Sequence, residues 1–220
     1  MYLPAHFAEH RPAVLQQLIR EHPFGLLVTQ GAADIDANGV PFFLDADPAG
    51  GPGILRAHVA RANPLWREAR GDLDSLVVFQ GPQTYVSPAW YPSKAEHGKV
   101  VPTWNYVMVQ GRGKLRAIED ATWLHPFVSR LTDHHEDERA KQAAQPKAWA
   151  VTDAPVDYID TMLKAIVGIE IVLTSLVGKW KVSQNRPAAD REGVARGLAN
   201  TAGSDAAAMA REVTAPGHDR

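Results

Sequence analysis

The spacing of apolar and polar positions divides the chain into a helical opening, a strand-rich middle and a helical close. Val14, Leu15, Leu18 and Ile19 recur at helical spacing behind Pro12 and predict a helix over Arg11–His22. Two short apolar runs, Phe24–Thr29 and Val40–Leu44, flank a polar Gly/Asp/Asn segment, which predicts an antiparallel hairpin. A third strand, Ile54–Val59, follows the punctuation AGGPG, and Asn63-Pro64 breaks the chain before a short helical stretch, LWREAR. SLVVFQ (75–80) reads as a buried strand that stops at Gly81-Pro82. Val100–Ile118 reads as one long strand in which Gly111 and Gly113 permit a bulge.

Helical patterning then takes over. A helix capped by Asp120 runs to Leu131, and an acidic-then-basic helix continues over His134–Gln145. Val156–Ile166 is a further helix, Val167–Trp180 a strand, and Ala188–Ala199 a last helix. Most strands are sequence neighbours and regular βα alternation is absent. The expected class is therefore α+β, an antiparallel sheet closing into a small barrel, and not a doubly wound nucleotide fold. The organisation expected is one domain over 1–187 with inserted helices at about 120–165, a C-terminal helix at 188–200, and a poorly ordered tail at 201–220, small and polar in composition.

Composition narrows the partners. The 220 residues carry a net charge of −2, so no global field favours nucleic acid or an anionic membrane. The absence of cysteine excludes disulfides, thiolate metal sites and a Cys nucleophile. Met1–Pro12 lacks a basic start followed by an apolar run, and the apolar stretch 165–178 is short and carries Glu170. A cytoplasmic protein without a membrane partner is expected.

Four clusters could carry chemistry. In VPTWNY (101–106), strand parity puts Thr103 and Asn105 on one face and Trp104 and Tyr106 on the other; parity alone does not say which face meets a ligand. HVARANP (58–64) leaves a strand end with His58, Arg61 and Asn63, and a guanidinium there matches an anion's oxygens. GPQTYVSPAWY (81–91) puts Tyr85, Ser87 and Trp90 in an aromatic loop behind Gln80. GKWKVSQNR (178–186) lines one strand face with Lys179, Lys181 and Ser183, followed by Gln184 and Arg186. From Gly178 to Arg196 there are five basic residues, Lys179, Lys181, Arg186, Arg191 and Arg196, against the acids Asp190 and Glu192. Each cluster has an ordinary structural reading as well: aromatic core, capping turn, satellite cluster, lysine-protected edge.

Sharper motifs are missing. No Gly-Lys pair continues into a P-loop, GRGKLR lacks the last glycine of a dinucleotide fingerprint, and there is no G-x-S-x-G. His134-His135-Glu136 lacks the spacing of a helical metal pair, so no metal site is expected. No general acid or base stands out beyond His58 and Tyr85, and the catalytic residues stay unassigned.

Together, HVARANP, FQGP, YVSPAWY, VPTWNY and KVSQNR, with MYLPAHF, PFFLD and IVGIEI, resemble the FMN-binding negative transcriptional regulator family, the PaiB-type proteins. The likeness runs in order from Met1 to about Gly197, with Ala57 where relatives commonly have Gly and Ala89 where Ser is common. The resemblance implies a flavin-binding split β-barrel that forms a homodimer with FMN in clefts between protomers. Arg61 would lead the phosphate contacts, with Lys179, Lys181 and Arg186 behind it. Pro41, Phe42, Trp90 and Trp104 would wall the ring system, while Gln80, Thr103, Asn105, Ser183 and Gln184 satisfy its polar atoms. The family name implies regulation of transcription with DNA as a partner, although no helix-turn-helix is visible. A flavin-dependent oxidoreductase or flavin reductase is the alternative, and haem binding through His58 or His134 a more remote one.

Overall fold

The computed structural model describes residues 1–143 and 148–215. Its elements, in chain order, are β1 (Ala8–Glu9), α1 (Pro12–Glu21), β2 (Phe24–Gln30), β3 (Ile35–Pro41), β4 (Phe43–Asp45), β5 (Ile54–Ala60) and α2 (Leu65–Glu68). They continue as β6 (Ser75–Val86), α3 (Ser93–His97), β7 (Thr103–Ile118), α4 (Ala121–Ala143), α5 (Val156–Lys164), β8 (Ile166–Lys181), α6 (Ala188–Ala199) and α7 (Ser204–Thr214). The strands form an eight-stranded antiparallel sheet in the order β3-β2-β6-β7-β8-β5-β4, with β1 paired to β8. This is the α+β class that the patterning predicts.

The chain divides into two compact units. One comprises Met1–His22, Val78–Gly111 and Leu176–Arg220, the other Pro23–Val77 and Arg112–Ser175. The first unit buries Leu15, Leu18 and Ile19 from α1, Phe79 and Val86 from β6, Val107 and Val109 from β7, and Trp180 from β8. The second buries Leu27, Leu55, Ala57 and Val59 from its hairpin and β5, Leu124, Phe127 and Leu131 from α4, and Val167, Ile169 and Ile171 from β8. Each of the Val, Leu, Ile and Phe side chains among these contributes about 1.5–3 kcal/mol when fully withdrawn from water.

Four local expectations change. The run Val40–Leu44 is not one strand, because it breaks at Phe42, whose N–H donates to the Pro23 carbonyl at 2.8 Å. β3 instead reaches back to Ile35 through the polar segment, in register with Gln30. β6 does not stop at Gly81-Pro82 but runs through to Val86. A side chain at 81 would press on Leu18 at 2.8 Å and Val107 at 3.3 Å, so this glycine marks close packing and not a turn. The helical pattern after Asp120 is one helix, α4, with Pro126 inside; Gln145, the expected end of its second half, lies outside the described residues. Asp120 caps it as expected, accepting from the N–H of Thr122 at 2.9 Å and from its hydroxyl at 2.6 Å.

The fourth change is the tail. Residues 204–214 form α7, with Ala206, Met209 and Val213 buried on one stripe. Its Glu212 accepts from the indole N–H of Trp180 at 3.1 Å. The expectation of a poorly ordered segment from Thr201 rested on small residues, yet alanine has the highest helix propensity and loses no side-chain freedom on folding.

Candidate functional site

Along the first half of β7, the structure decides which face is which. Asn105, Val107 and Val109 are buried, whereas Trp104, Tyr106, Met108 and Gln110 point outward, with Trp104 49% exposed. These four side chains line a hollow of about 670 Å³ together with Gln80 and Gln83 of β6, Lys179 of β8, and Met1 and Tyr2. That volume lies inside the range of about 300–1,000 Å³ common for small-molecule sites. The lining pairs flat rings with three side-chain amides. Two of the amides are held: Gln80 Nε2 donates to the Val107 carbonyl at 3.1 Å, and Gln83 Oε1 accepts from the Trp104 indole at 2.6 Å. Tyr85, 47% exposed, sets its ring edge-on to Trp104, with centroids 6.3 Å apart.

Lys179 lines this face, and Lys181 and Arg186 follow it along the chain. Lys179 is buried, its Nζ donating to the Tyr2 carbonyl at 3.1 Å and lying 5.5 Å and 5.2 Å from the centres of the Tyr2 and Tyr106 rings. Lys181 Nζ donates to the Thr103 hydroxyl at 2.5 Å and to the Trp104 carbonyl. Burial lowers the Lys181 pKa below that of an ordinary lysine, and the nearby charges of Lys179 and Arg186 lower it further. The Arg186 guanidinium lies 5.0 Å from the centre of the Tyr91 ring. Among the described residues, none of these three cations has a carboxylate in ion-pair range.

The turn after β8 is tightly held. Ser183 has φ 68°, the left-handed region that non-glycine residues seldom adopt. Its hydroxyl accepts from Asn105 Nδ2 at 2.9 Å, and both side chains are buried. Gln184 folds back, accepting from the Val182 N–H at 2.9 Å and donating to the Trp180 carbonyl at 2.5 Å. Asn105, Ser183 and Gln184 are thus engaged with one another's strands, and Thr103 is held by Lys181. Ser87 accepts from the Ala89 N–H at 3.2 Å and caps a short 3-10 turn, Pro88–Trp90. Trp90 lodges against Gly193 and Gly197 of α6, where any Cβ would collide with it.

His58, Arg61 and Asn63 belong to the other unit. Arg61 donates from Nε to the Lys164 carbonyl at 2.7 Å, from Nη1 to Glu119 at 2.5 Å and from Nη2 to the Ile166 carbonyl at 3.2 Å, tying β5 to the junction of α5 and β8. Asn63 caps α2 by accepting from the Leu65 N–H at 2.9 Å. His58 packs edge-on against Phe127 of α4, 6.4 Å between centroids, and its Nδ1 has no hydrogen-bond partner among the described residues. Burial holds its pKa below the ordinary 6.5.

A stability prediction follows from His58. Between its folded value and 6.5 the unfolded chain binds more protons, so stability rises with pH up to about 6.5 and then levels off. Urea midpoints between pH 5 and 7.5 check this, with His58→Phe expected to flatten the part of the rise due to this residue. An unchanged slope in the variant would assign the dependence to other groups.

The hollow therefore gathers Gln80, Trp104 and Lys179 from the expected set and adds Tyr2, Gln83, Tyr106, Met108 and Gln110. The last three were within reach of sequence reasoning, since the parity that places Trp104 continues through 106, 108 and 110. Gln83 was hidden by ending the strand at Gly81-Pro82. No cluster of metal-ligating side chains occurs among the described residues, and no helix there is long and apolar enough to cross a membrane.

Residues 1–175 match the family model described as "Putative FMN-binding domain". The chain is 37% identical to the uncharacterized protein AN0679 of Emericella nidulans over 94% of this chain and 93% of that protein. It is 29% identical to protease synthase and sporulation protein PAI 2 of Bacillus subtilis, over 96% and 95% respectively. Among solved structures it shares its fold with the flavocytochrome Anf3 from Azotobacter vinelandii, at TM-score 0.55 and 11% identity, over 79% of this chain and 69% of that one.

Proposed function

The chain belongs to the PaiB-type family of FMN-binding domains, with the flavin-binding split-barrel fold and FMN as cofactor, and from that premise we propose that its FMN ring system lies against the Trp104–Tyr106–Met108 face. The observation that carries this reading is the composition of that hollow. An isoalloxazine has an apolar benzenoid end and a polar pyrimidine end. It fits a wall of rings and a thioether flanked by the amides of Gln80, Gln83 and Gln110. When bound, FMN supplies one- or two-electron redox chemistry. The chain's own residues bind and orient it: Trp104 and Tyr106 supply planar contact, and Gln80, already held by the Val107 carbonyl, keeps a fixed direction.

A test follows directly. Trp104→Ala is expected to weaken FMN about tenfold, from loss of about 1–2 kcal/mol of planar contact, measured by flavin fluorescence titration. Unaltered affinity would move the ring system off this face.

For the biological role we propose regulation, with the flavin as the sensing group, in a homodimer that acts on duplex DNA. Regulation is what the family resemblance implies. The exposed Tyr85, Val101 and Trp104 give a second copy an apolar surface to cover. Sedimentation of a monomer at micromolar concentration would count against the dimer. Loss of preference for the protein's own promoter over random duplex would count against DNA.

A second reading, a flavin-dependent oxidoreductase, is favoured by one feature: the half-exposed Trp104 leaves a ring system on this face within reach of soluble redox partners. Anaerobic bleaching of the yellow protein by NADH or NADPH at catalytic rates would select it.

A further inference from the structure

We infer that residues 1–4 form a strap that gates the hollow on β7, with Lys179 as the fastener that holds it shut. The inference concerns regulation of the hollow proposed above for the FMN ring system, and it rests on that reading only for the identity of the occupant. Met1 and Tyr2 line the hollow beside Trp104, Tyr106 and Met108, yet Tyr2 is 84% exposed. The chain behind them is anchored. Phe7 is buried, its N–H donates to the Pro4 carbonyl at 2.9 Å, and Ala8 and Glu9 of β1 pair with Lys179 and Gly178 of β8. Ahead of Pro4 that anchoring ends. Among the described residues, the one hydrogen bond that reaches residues 1–3 is the donation from Lys179 Nζ to the Tyr2 carbonyl at 3.1 Å.

The energetics of the fastener give the strap two states. Lys179 is buried, and its ammonium lies between two rings, 5.5 Å from the centre of Tyr2 and 5.2 Å from that of Tyr106. With the strap shut, this charge has a carbonyl acceptor and two π faces. With the strap lifted, it loses the acceptor and one face, which favours closure because a buried donor left unmade is costly. Little else resists opening. A segment with few buried apolar contacts and a single hydrogen bond opens at a small fraction of the cost of global unfolding. Tyr106 belongs to β7 and not to the strap, so Lys179 stays bedded on it when residues 1–4 leave and marks the place to which they return. An occupant of the hollow then enters and leaves only while the fastener is undone. Such a gate slows entry and exit alike and leaves the bound state's own contacts unaltered.

The chain has no cysteine, so Met108→Cys puts a single thiol in the wall of the hollow. Its rate of labelling by a small aromatic disulfide reagent reads opening of the strap with no flavin present. In that background Tyr2→Ala, which removes one ring from the ammonium, is expected to speed labelling about two- to fivefold. Lys179→Met, which removes the donor, is expected to speed it roughly tenfold or more. The second arm keeps Met108 and follows FMN on wild type and Tyr2→Ala by stopped flow. Association and dissociation should quicken together, with the equilibrium affinity unchanged. The gate is overturned if labelling is equally fast in all three proteins. It is equally overturned if only FMN dissociation quickens in Tyr2→Ala, which would make Tyr2 a ligand contact and not a gate. Faster labelling with unaltered FMN rates would uphold the gate and sink the placement of FMN in this hollow. Should Lys179→Met fail to fold, Tyr2→Ala decides alone, since Tyr2 is exposed.

Discussion

Replacing Glu170 by Ala is expected to destabilise the protein by about 3 kcal/mol, the lower end of what breaking a buried ion pair costs. The Glu170 side chain, 8% exposed on β8, accepts from Arg56 Nε at 2.9 Å and from Arg116 Nη2 at 2.7 Å. Arg56 also pairs with Asp45, which accepts from Arg130 of α4 at 2.9 Å, so one chain of charges links β7, β8, β5, β4 and α4. The low end applies because Arg116 is largely in water and regains solvation when its partner is lost. Burial alone would raise the Glu170 pKa, but the hydrogen bonds and charges of Arg56 and Arg116 together bring it below 4.5. A depressed carboxyl contributes stability above its unfolded value and loses it as pH falls through the folded value. The gap between wild type and Glu170→Gln in urea midpoints should therefore be full near neutrality and shrink below about pH 4.5. A gap that stayed constant down to pH 3 would show that the carboxylate's charge is not what stabilises this network.

Gly113→Val should cost about as much, roughly 3 kcal/mol, for a steric reason. A Cβ at 113 would fall inside van der Waals contact of the Val172 carbonyl oxygen and lie 2.9 Å from the Ile171 Cγ2. The obstacle is backbone, which cannot rotate aside, so β7 and β8 would have to separate locally. Valine's preference for strands does not offset this, since that preference reflects packing on a pleated surface that has room for it. Equilibrium denaturation reads the effect; a loss under 1 kcal/mol would mean the two strands part more easily than their burial implies.

Much of this architecture could be read from the chain. The alternation in FGLLVTQ and the stripe Val14–Ile19 placed β2 and α1 to within a residue or two, because one face of each is buried and periodicity records that directly. Gly81-Pro82 misled because the same dipeptide serves a turn or a crowded strand. Only the distance to Leu18 tells them apart. Parity in VPTWNY separated Trp104 from Asn105 correctly but could not say which side faces solvent, as that depends on what packs beneath. The same limit hid the pairing of Asn105 with Ser183, residues 78 positions apart. Serine in a left-handed turn also carries no sequence signature, unlike the glycine that usually marks one. Arg61 looked free at its strand end, and its three acceptors come from residues more than fifty positions away.

The last helix carries a practical consequence for anyone shortening this protein. Trimming after Asn200 would remove an apparently dispensable alanine-rich stretch, yet it would strip Met209 and Val213 from the interior and leave the Trp180 indole nitrogen with no acceptor inside a dry environment. Trp180 sits on the strand between Lys179 and Lys181, so the damage would surface far along the chain from the cut, in the posture of both lysines.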